Sequence, residues 1–235
     1  MLDVRDVTVR FGGVVALDSL SAQFTHPVSG VIGPNGAGKT TLMNVISGFV
    51  AAQTGSVQQD GQNLLSIAPH RRAHWGLRRS FQKEEIAEDL SVFDNVLVQL
   101  DHGRGKGRMD EVMHVLDLVG LADRAQQSAA TLNTFERRLT DIAKCMVGSP
   151  RLIMFDEPGG SLSVEETHTL GELILRIHAE TGAQTLVIDH DVDLIRRICS
   201  ETLVLDFGKR IAFGPTDEVL NDAKVKAAYL GTEEV

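Results

Sequence analysis

The stretch Gly33-Pro-Asn-Gly-Ala-Gly-Lys-Thr40 constrains the fold of this chain more than any other. It meets the pattern G-x-x-x-x-G-K-[ST] at every fixed position. A short apolar run, residues 28–32, precedes it, and a segment of helical length, residues 40–49, follows, with Gly48 as the predicted stop. Strand, glycine-rich turn and helix in that order predict a phosphate cradle. Glycines let backbone N–H groups close around phosphates, and the helix N-terminus adds its favourable dipole at the same place. Asn35, Gly36 and Gly38 are expected to line the cradle. Lys39 is expected to reach the β- and γ-phosphates, the Thr40 hydroxyl to ligate Mg2+, and Thr41 to make a further phosphate contact.

A cradle of this kind needs a second strand that carries an acid towards the metal. The apolar run Leu152-Ile-Met-Phe155, followed by Asp156-Glu157, supplies it. Asp156 is expected in the Mg2+ shell. Glu157, one residue on, is placed to orient and deprotonate the attacking water as general base. An apolar strand that ends in Asp-Glu is unremarkable by itself; its pairing with the cradle gives it weight.

The rest of the chain is organised around these two strands. Leu2, Val4, Val7 and Val9 alternate with polar residues as in a strand with one wet face, and residues 20–24 and 57–61 read as further strands, the latter with a turn at Asp60-Gly61. From about residue 92 to 147 the pattern is helical: Val112, Val115, Leu116 and Val119 share one face and Gly120 follows. Residues 101–108 are polar and Gly-rich and read as a solvated loop. Strand–helix alternation returns with strands at 151–155, 184–188 and 202–206 and helices at 167–181 and 192–199. This order points to a parallel sheet with helices on both faces.

Composition narrows the function. The chain has 235 residues, enough for a core without disulfides, and dividing by about 150 residues per domain gives one large domain or a core with a lobe. The net charge of −9 weighs against a nucleic-acid partner. Cys145 and Cys199 lack any CxxC spacing and read as reduced thiols of a cytosolic protein. No apolar run approaches the ~18 residues of a membrane span, and the first residues lack the apolar core of a signal peptide. His70 and His74 are four apart, as zinc ligands on one helix face can be, but Arg71, Arg72, Arg78 and Arg79 surround them and would repel a cation; the expected reading is a solvated face.

With these motifs in place, the chain resembles the ATP-binding subunits of ABC transporters over almost its whole length. The resemblance rests on residues 33–41, on Gln82 within Arg79-Ser-Phe-Gln82, on residues 152–158 and on Ile188-Asp-His190. It looks most like the branched-chain amino acid importer ATPases, to which Arg10-Phe-Gly-Gly-Val-Val-Ala-Leu-Asp18, the stretch after Gly48, Pro69-His-Arg and Ala227-Ala-Tyr-Leu-Gly231 are similar. The resemblance implies an α/β fold: a P-loop NTPase core with a mainly parallel sheet, an N-terminal antiparallel β subdomain and an inserted helical subdomain. It implies a single ABC ATPase domain over 1–235, with the core in 1–83 and 151–235 and the helical signature lobe at about 84–150. Phe11 is then expected to stack on adenine, its alternative being an ordinary core aromatic. Gln82 is expected to sense the γ-phosphate and Mg2+, its alternative being a polar loop residue. His190 is expected to contact the γ-phosphate and orient Glu157, its alternative being a structural histidine at a strand end. ATP and Mg2+ are the implied cofactors. The implied partners are membrane permease subunits, a second ATPase subunit and, indirectly, a solute-binding protein, with no nucleic acid. The implied location is cytoplasmic, on the inner face of the cell membrane.

The chain departs from the family at one motif. The signature, close to Leu-Ser-x-Gly-Gln, reads Leu132-Asn-Thr-Phe-Glu136, with Arg137-Arg138 and Ile142-Ala143 fixing the register. In the family, each ATP lies between one subunit's P-loop and the other's signature. Phe135 places a bulky side chain where backbone should approach the γ-phosphate, Asn133 keeps a hydrogen-bond donor, and Glu136 adds negative charge. Ser163 stands where Asp or Asn is usual in the loop after Glu157. The expectation is an asymmetric pair in which this chain's own P-loop site works and the signature it lends to a partner is impaired. A heterodimer is favoured over a homodimer. The alternatives are a nucleotide-dependent binding or regulatory module with little turnover, and a non-transport ATPase acting on nucleic acid.

Overall fold

The computed structural model describes residues 1–100 and 106–227. Two sheets organise the chain. The first is antiparallel, in the order β2 (Val14–Phe24), β1 (Leu2–Phe11), β4 (Thr54–Gln59) and β5 (Gln62–Asn63). The second runs β10 (Lys209–Pro215), β9 (Glu201–Asp206), β3 (Val28–Ile32), β8 (Gln184–Ile188), β7 (Leu152–Asp156) and β6 (Leu77–Arg79); β9 to β6 are parallel and β10 is antiparallel to β9. The helices are α1 (Lys39–Ser47), α2 (Pro69–Trp75), α3 (Val92–Leu97), α4 (Lys106–Leu118), α5 (Thr134–Met146), α6 (Val164–Thr181), α7 (Val192–Ile198), α8 (Thr216–Asn221) and α9 (Ala223–Val225).

Every residue of β3, β7 and β8 is buried, which is why they read as continuous apolar runs. The side chains of β7, β8 and β9 nevertheless alternate between two cores. Ile153, Phe155, Val187 and Val204 join the helices α3 to α7, whereas Leu152, Met154, Leu186, Leu203 and Leu205 meet α1 and the antiparallel sheet. Helices lie on both faces as expected, but unequally: α3 to α7 cover one, and α1 covers the other together with the expected N-terminal antiparallel sheet, through the buried apolar side of β1 and β2, including Leu2, Val4, Val7, Leu20 and Phe24.

Several elements begin earlier than the sequence pattern placed them. β2 starts at Val14, not at residue 20, because Ser19 sits at φ 49° within an irregular pairing that breaks its alternation. α6 starts at Val164, with Ser163 as its cap. Asp60 (φ 50°) and Gly61 make the expected tight turn between β4 and β5. Lys106–Arg108, read as loop, open α4; residues 101–105 lie outside the described residues, as do those of the Ala227–Gly231 string from 228 onwards. Between β6 and β7 the chain forms helices and short 3-10 turns, with Val112, Val115, Leu116 and Val119 buried as their spacing predicted.

Candidate functional site

The cradle is built where β3 ends in the middle of the sheet. Gly33 and Gly38 are glycine for steric reasons. A Cβ on Gly33 would lie 2.2 Å from the Leu205 carbonyl oxygen, and one on Gly38, at φ 105°, would lie 2.6 Å from the Ala16 oxygen. Gly38 caps α1 without a side chain, so the first N–H groups of the helix face the loop. Lys39 is buried, and its ammonium donates to the Gly33 carbonyl at 2.5 Å and to the Pro34 carbonyl at 3.0 Å. Burial pulls the Lys39 pKa below the usual lysine range, while the charges of Glu157 and Asp156 act in the opposite direction. Asn35, Gly36 and Thr40 are exposed and Thr41 is half-buried, so the loop presents its polar groups to solvent.

The acid pair lies at the end of β7. Glu157 has a left-handed backbone (φ 51°), rare for a residue with a side chain, and its N–H donates to the Ile188 carbonyl at 2.7 Å. Gln82 Nε2 donates to Glu157 Oε2 at 2.8 Å, and His190 Nδ1 stands 3.8 Å from the same oxygen. The strand ends thus bring Lys39, Gln82, Asp156, Glu157 and His190 into one cluster. Strained backbone at such a position is characteristic of functional turns.

Two predicted positions lie apart from the cluster. Phe11 closes β1 and is 52% exposed, which removes the reading as a core aromatic and leaves its ring face available. Residues 132–136 sit at the start of α5. Asn133 caps that helix: its Oδ1 accepts from the Glu136 N–H at 2.8 Å, and the Glu136 carboxylate accepts from the Asn133 N–H at 3.0 Å. Glu136 also pairs with Arg124 at 3.1 Å, so its charge is engaged within its own neighbourhood rather than offered outward. Phe135 is half-buried and packs against the helical core. Ser163 makes the same capping box on α6 with Glu166, a role that Asp or Asn would fill as well.

Four residues to which sequence reasoning gave no role support the cluster and its surroundings. Arg79, read as part of a solvated face, has a side chain only 7% exposed and pairs with Asp156 Oδ2 at 2.9 Å. Arg72 is also buried, donating to the Val45 and Ile46 carbonyls in the last turn of α1; His70, His74 and Arg71 are exposed as expected. Arg138 of α5 donates to the Phe81 and Gln82 carbonyls at 3.3 Å, tying the helix that follows Asn133 to the loop that carries Gln82. Asp189 is fully buried and accepts from the Gly159 and Asp191 N–H groups, linking the turn after Glu157 to the strand end that carries His190. The only sequence signal for Arg79 and Asp189 was their place beside Gln82 and His190.

Comparison with known proteins places this arrangement in a family. The ABC transporter family matches residues 21–160, and the branched-chain amino acid ATP-binding cassette transporter family matches residues 209–235. The high-affinity branched-chain amino acid transport ATP-binding protein BraF of Pseudomonas aeruginosa is 31% identical over 98% of both chains, and LivG of Escherichia coli is similar to the same degree. Among solved structures, the ADP conformation of MJ1267, an ATP-binding cassette of an ABC transporter, aligns with a TM-score of 0.89 at 25% identity over 98% of both chains. A dimeric bacterial ABC transporter cassette, MJ0796, aligns with a TM-score of 0.79 at 20% identity over 92% of this chain and 99% of its own. Shared sequence over the full chain and a shared P-loop NTPase fold give one conclusion: the chain belongs to the ABC transporter family, as an ATP-binding, ATPase-type cassette.

Proposed function

We propose that this chain is the ATP-hydrolysing subunit that energises an importer of branched-chain amino acids or similar small solutes. It would sit on the inner face of the membrane against permease subunits, with a solute-binding protein acting indirectly. Among the described residues no helix is long and apolar enough to cross a membrane, in keeping with a chain that works through membrane partners. In this reading residues 84–150 form the helical lobe, and residues 1–83 and 151–235 form the ATPase core.

The observation that carries the proposal is the convergence of Gln82 and His190 on Glu157 beside the P-loop lysine. Lys39 and the cradle N–H groups hold the β- and γ-phosphates, and Phe11 stacks on the adenine. Glu157 orients and deprotonates the attacking water. Gln82, through its amide N–H, and His190 hold the Glu157 carboxylate in place. Thr40, Asp156 and Gln82 fit Mg2+ by donor chemistry, all being hard oxygens, and the amide N–H given to Glu157 leaves the Gln82 carbonyl oxygen as its donor. When bound, the ion supplies neutralisation of phosphate charge.

The sites of a dimer would be unequal. Residues 132–136 lend a partner the Asn133 amide but no glycine backbone, so the ATP beside this signature turns over slowly. A heterodimer with an intact signature is favoured. Steady-state ATPase activity of the purified chain, alone and with its neighbouring ATPase, tests this. Slow turnover alone and fast turnover in the mixture is expected; fast turnover that depends on self-association would overturn the asymmetry. Phe135 favours a second reading, a nucleotide-dependent module with vestigial chemistry, which ATP binding without turnover even with partners would establish.

A further inference from the structure

We propose that Arg79 is a positioning residue for Asp156, and that the segment from Arg79 to Gln82 assigns the two adjacent acids their separate tasks. β6 pairs with β7 with Arg79 opposite Met154, so the chain leaving β6 runs alongside Asp156 and Glu157. Two side chains three residues apart then address two consecutive carboxylates. Arg79 gives Asp156 a full positive charge at 2.9 Å; Gln82 gives Glu157 a neutral amide at 2.8 Å. Asp156 is held as a charge-paired ligand with Oδ2 fixed, and its other oxygen is turned in one orientation for the water shell of a cation. Glu157 is oriented without a cation paired to it at that contact, as a base must be.

The surroundings of Arg79 are built for this. The other arm of the fork donates to Asn44 Oδ1 at 2.8 Å and Ser47 Oγ at 3.2 Å, both on α1, the helix that begins with Lys39. Its guanidinium stacks 4.8 Å from the Phe81 ring and 5.9 Å from that of Phe49. The side chains of Arg79 and Asp156 are only 7% and 10% exposed. A buried pair is weak evidence for stability, because desolvation offsets most of the attraction, so its geometry is the property to explain. A planar fork that bridges the cradle helix and the metal-side acid matches the partner that orients a ligand from behind.

The inference rests on the reading that ATP and Mg2+ bind at residues 33–41 and 156. Its test measures ATP affinity of the purified full chain by calorimetric titration, once with Mg2+ and once with EDTA, alongside a thermal melt. The wild type should bind more tightly with Mg2+. In Arg79→Met that gain should shrink by about tenfold or more, with the EDTA affinity close to wild type. Arg79→Lys, which keeps the charge and loses the fork, should fall between. Asn44→Ala, which removes the support on α1 and leaves both acids intact, should lose part of the gain in the same direction. An unchanged Mg2+ gain in Arg79→Met, or an equal loss with and without Mg2+, overturns the proposal by making Arg79 a purely structural tie. Should Arg79→Met fail to fold, Arg79→Lys and Asn44→Ala decide by the same criteria. A wild type that binds no ATP overturns the proposed function itself, a result distinct from variants that match a Mg2+-responsive wild type.

Discussion

Glu157 is held by three independent constraints: a left-handed backbone, the Gln82 amide and the nearby His190 ring. Glu157→Gln preserves size and the contact with Gln82 but removes the proposed base. Turnover should fall by about 10²–10⁴-fold while ATP binding persists, read as phosphate release and nucleotide titration on the same sample. Turnover near wild type would remove Glu157 from the role of base. Lys39, Asp156 and Glu157 were legible as candidates because the motifs that single them out depend on local spacing after a strand. Arg79 was not, because its partner lies 77 residues away and its neighbours Arg71, Arg72 and Arg78 made the segment look uniformly solvated. Nothing in a linear pattern separates a cation that faces water from one that faces a buried acid.

At the level of elements, the start of α5 shows that residues 132–136 have a structural task of their own. Asn133 retains the capping box of the helix, and Glu136 completes it. Asn133→Asp should leave the thermal melt nearly unchanged, since both residues cap well, whereas Asn133→Ala should cost about 0.5–2 kcal/mol. If the Asn133 amide donates to a partner's ATP, Asn133→Asp should also weaken nucleotide binding by the partnered complex, and equal affinities would show that only the cap matters. Phe135→Gly separates the same two roles. On the proposed asymmetry it should raise turnover of the purified chain alone by opening the backbone, and lower stability by about 1 kcal/mol or more, because glycine disfavours helix and the ring packs on the helical core. Unchanged turnover with lowered stability would make Phe135 a packing residue. Elements were legible in proportion to their burial. β3 and β8, fully buried, were read to the residue, whereas β10, largely half-exposed, and β6, only three residues long, offered no pattern. The N-terminal antiparallel sheet was expected from the alternation of β1 and from the resemblance, and the irregular pairing of β1 with β2 hid only where β2 begins.

On the scale of the whole molecule, one buried acid ties the segment that enters β3 to the neighbouring strand β9. Glu201 opens β9 and accepts from the Thr25 and His26 N–H groups and the Ser29 hydroxyl, on the segment that enters β3. Burial alone would raise its pKa, but these hydrogen bonds, with the His26 ring, outweigh it and hold the carboxyl below its ordinary value of 4.5. The folded state therefore prefers the ionised form more than the unfolded chain does. The stabilisation is fully present above pH 4.5 and is lost as pH falls through the lowered folded value. Asp189 acts in the opposite sense: burial, only partly offset by the Asp191 and Gly159 N–H groups, raises its pKa above 3.8, so its contribution declines as pH rises through the raised value. The two effects overlap on the acid side, and a wild-type melt alone cannot separate them. Glu201→Gln does, because it keeps one acceptor oxygen and removes the charge. The variant should be less stable than wild type at pH 7 by about 1–3 kcal/mol. For a chain of this size that corresponds to a lower Tm by roughly 2–4 °C per kcal/mol. The gap should narrow as pH drops below 4.5. A gap that stays constant down the acid limb would assign the effect to packing geometry instead of charge.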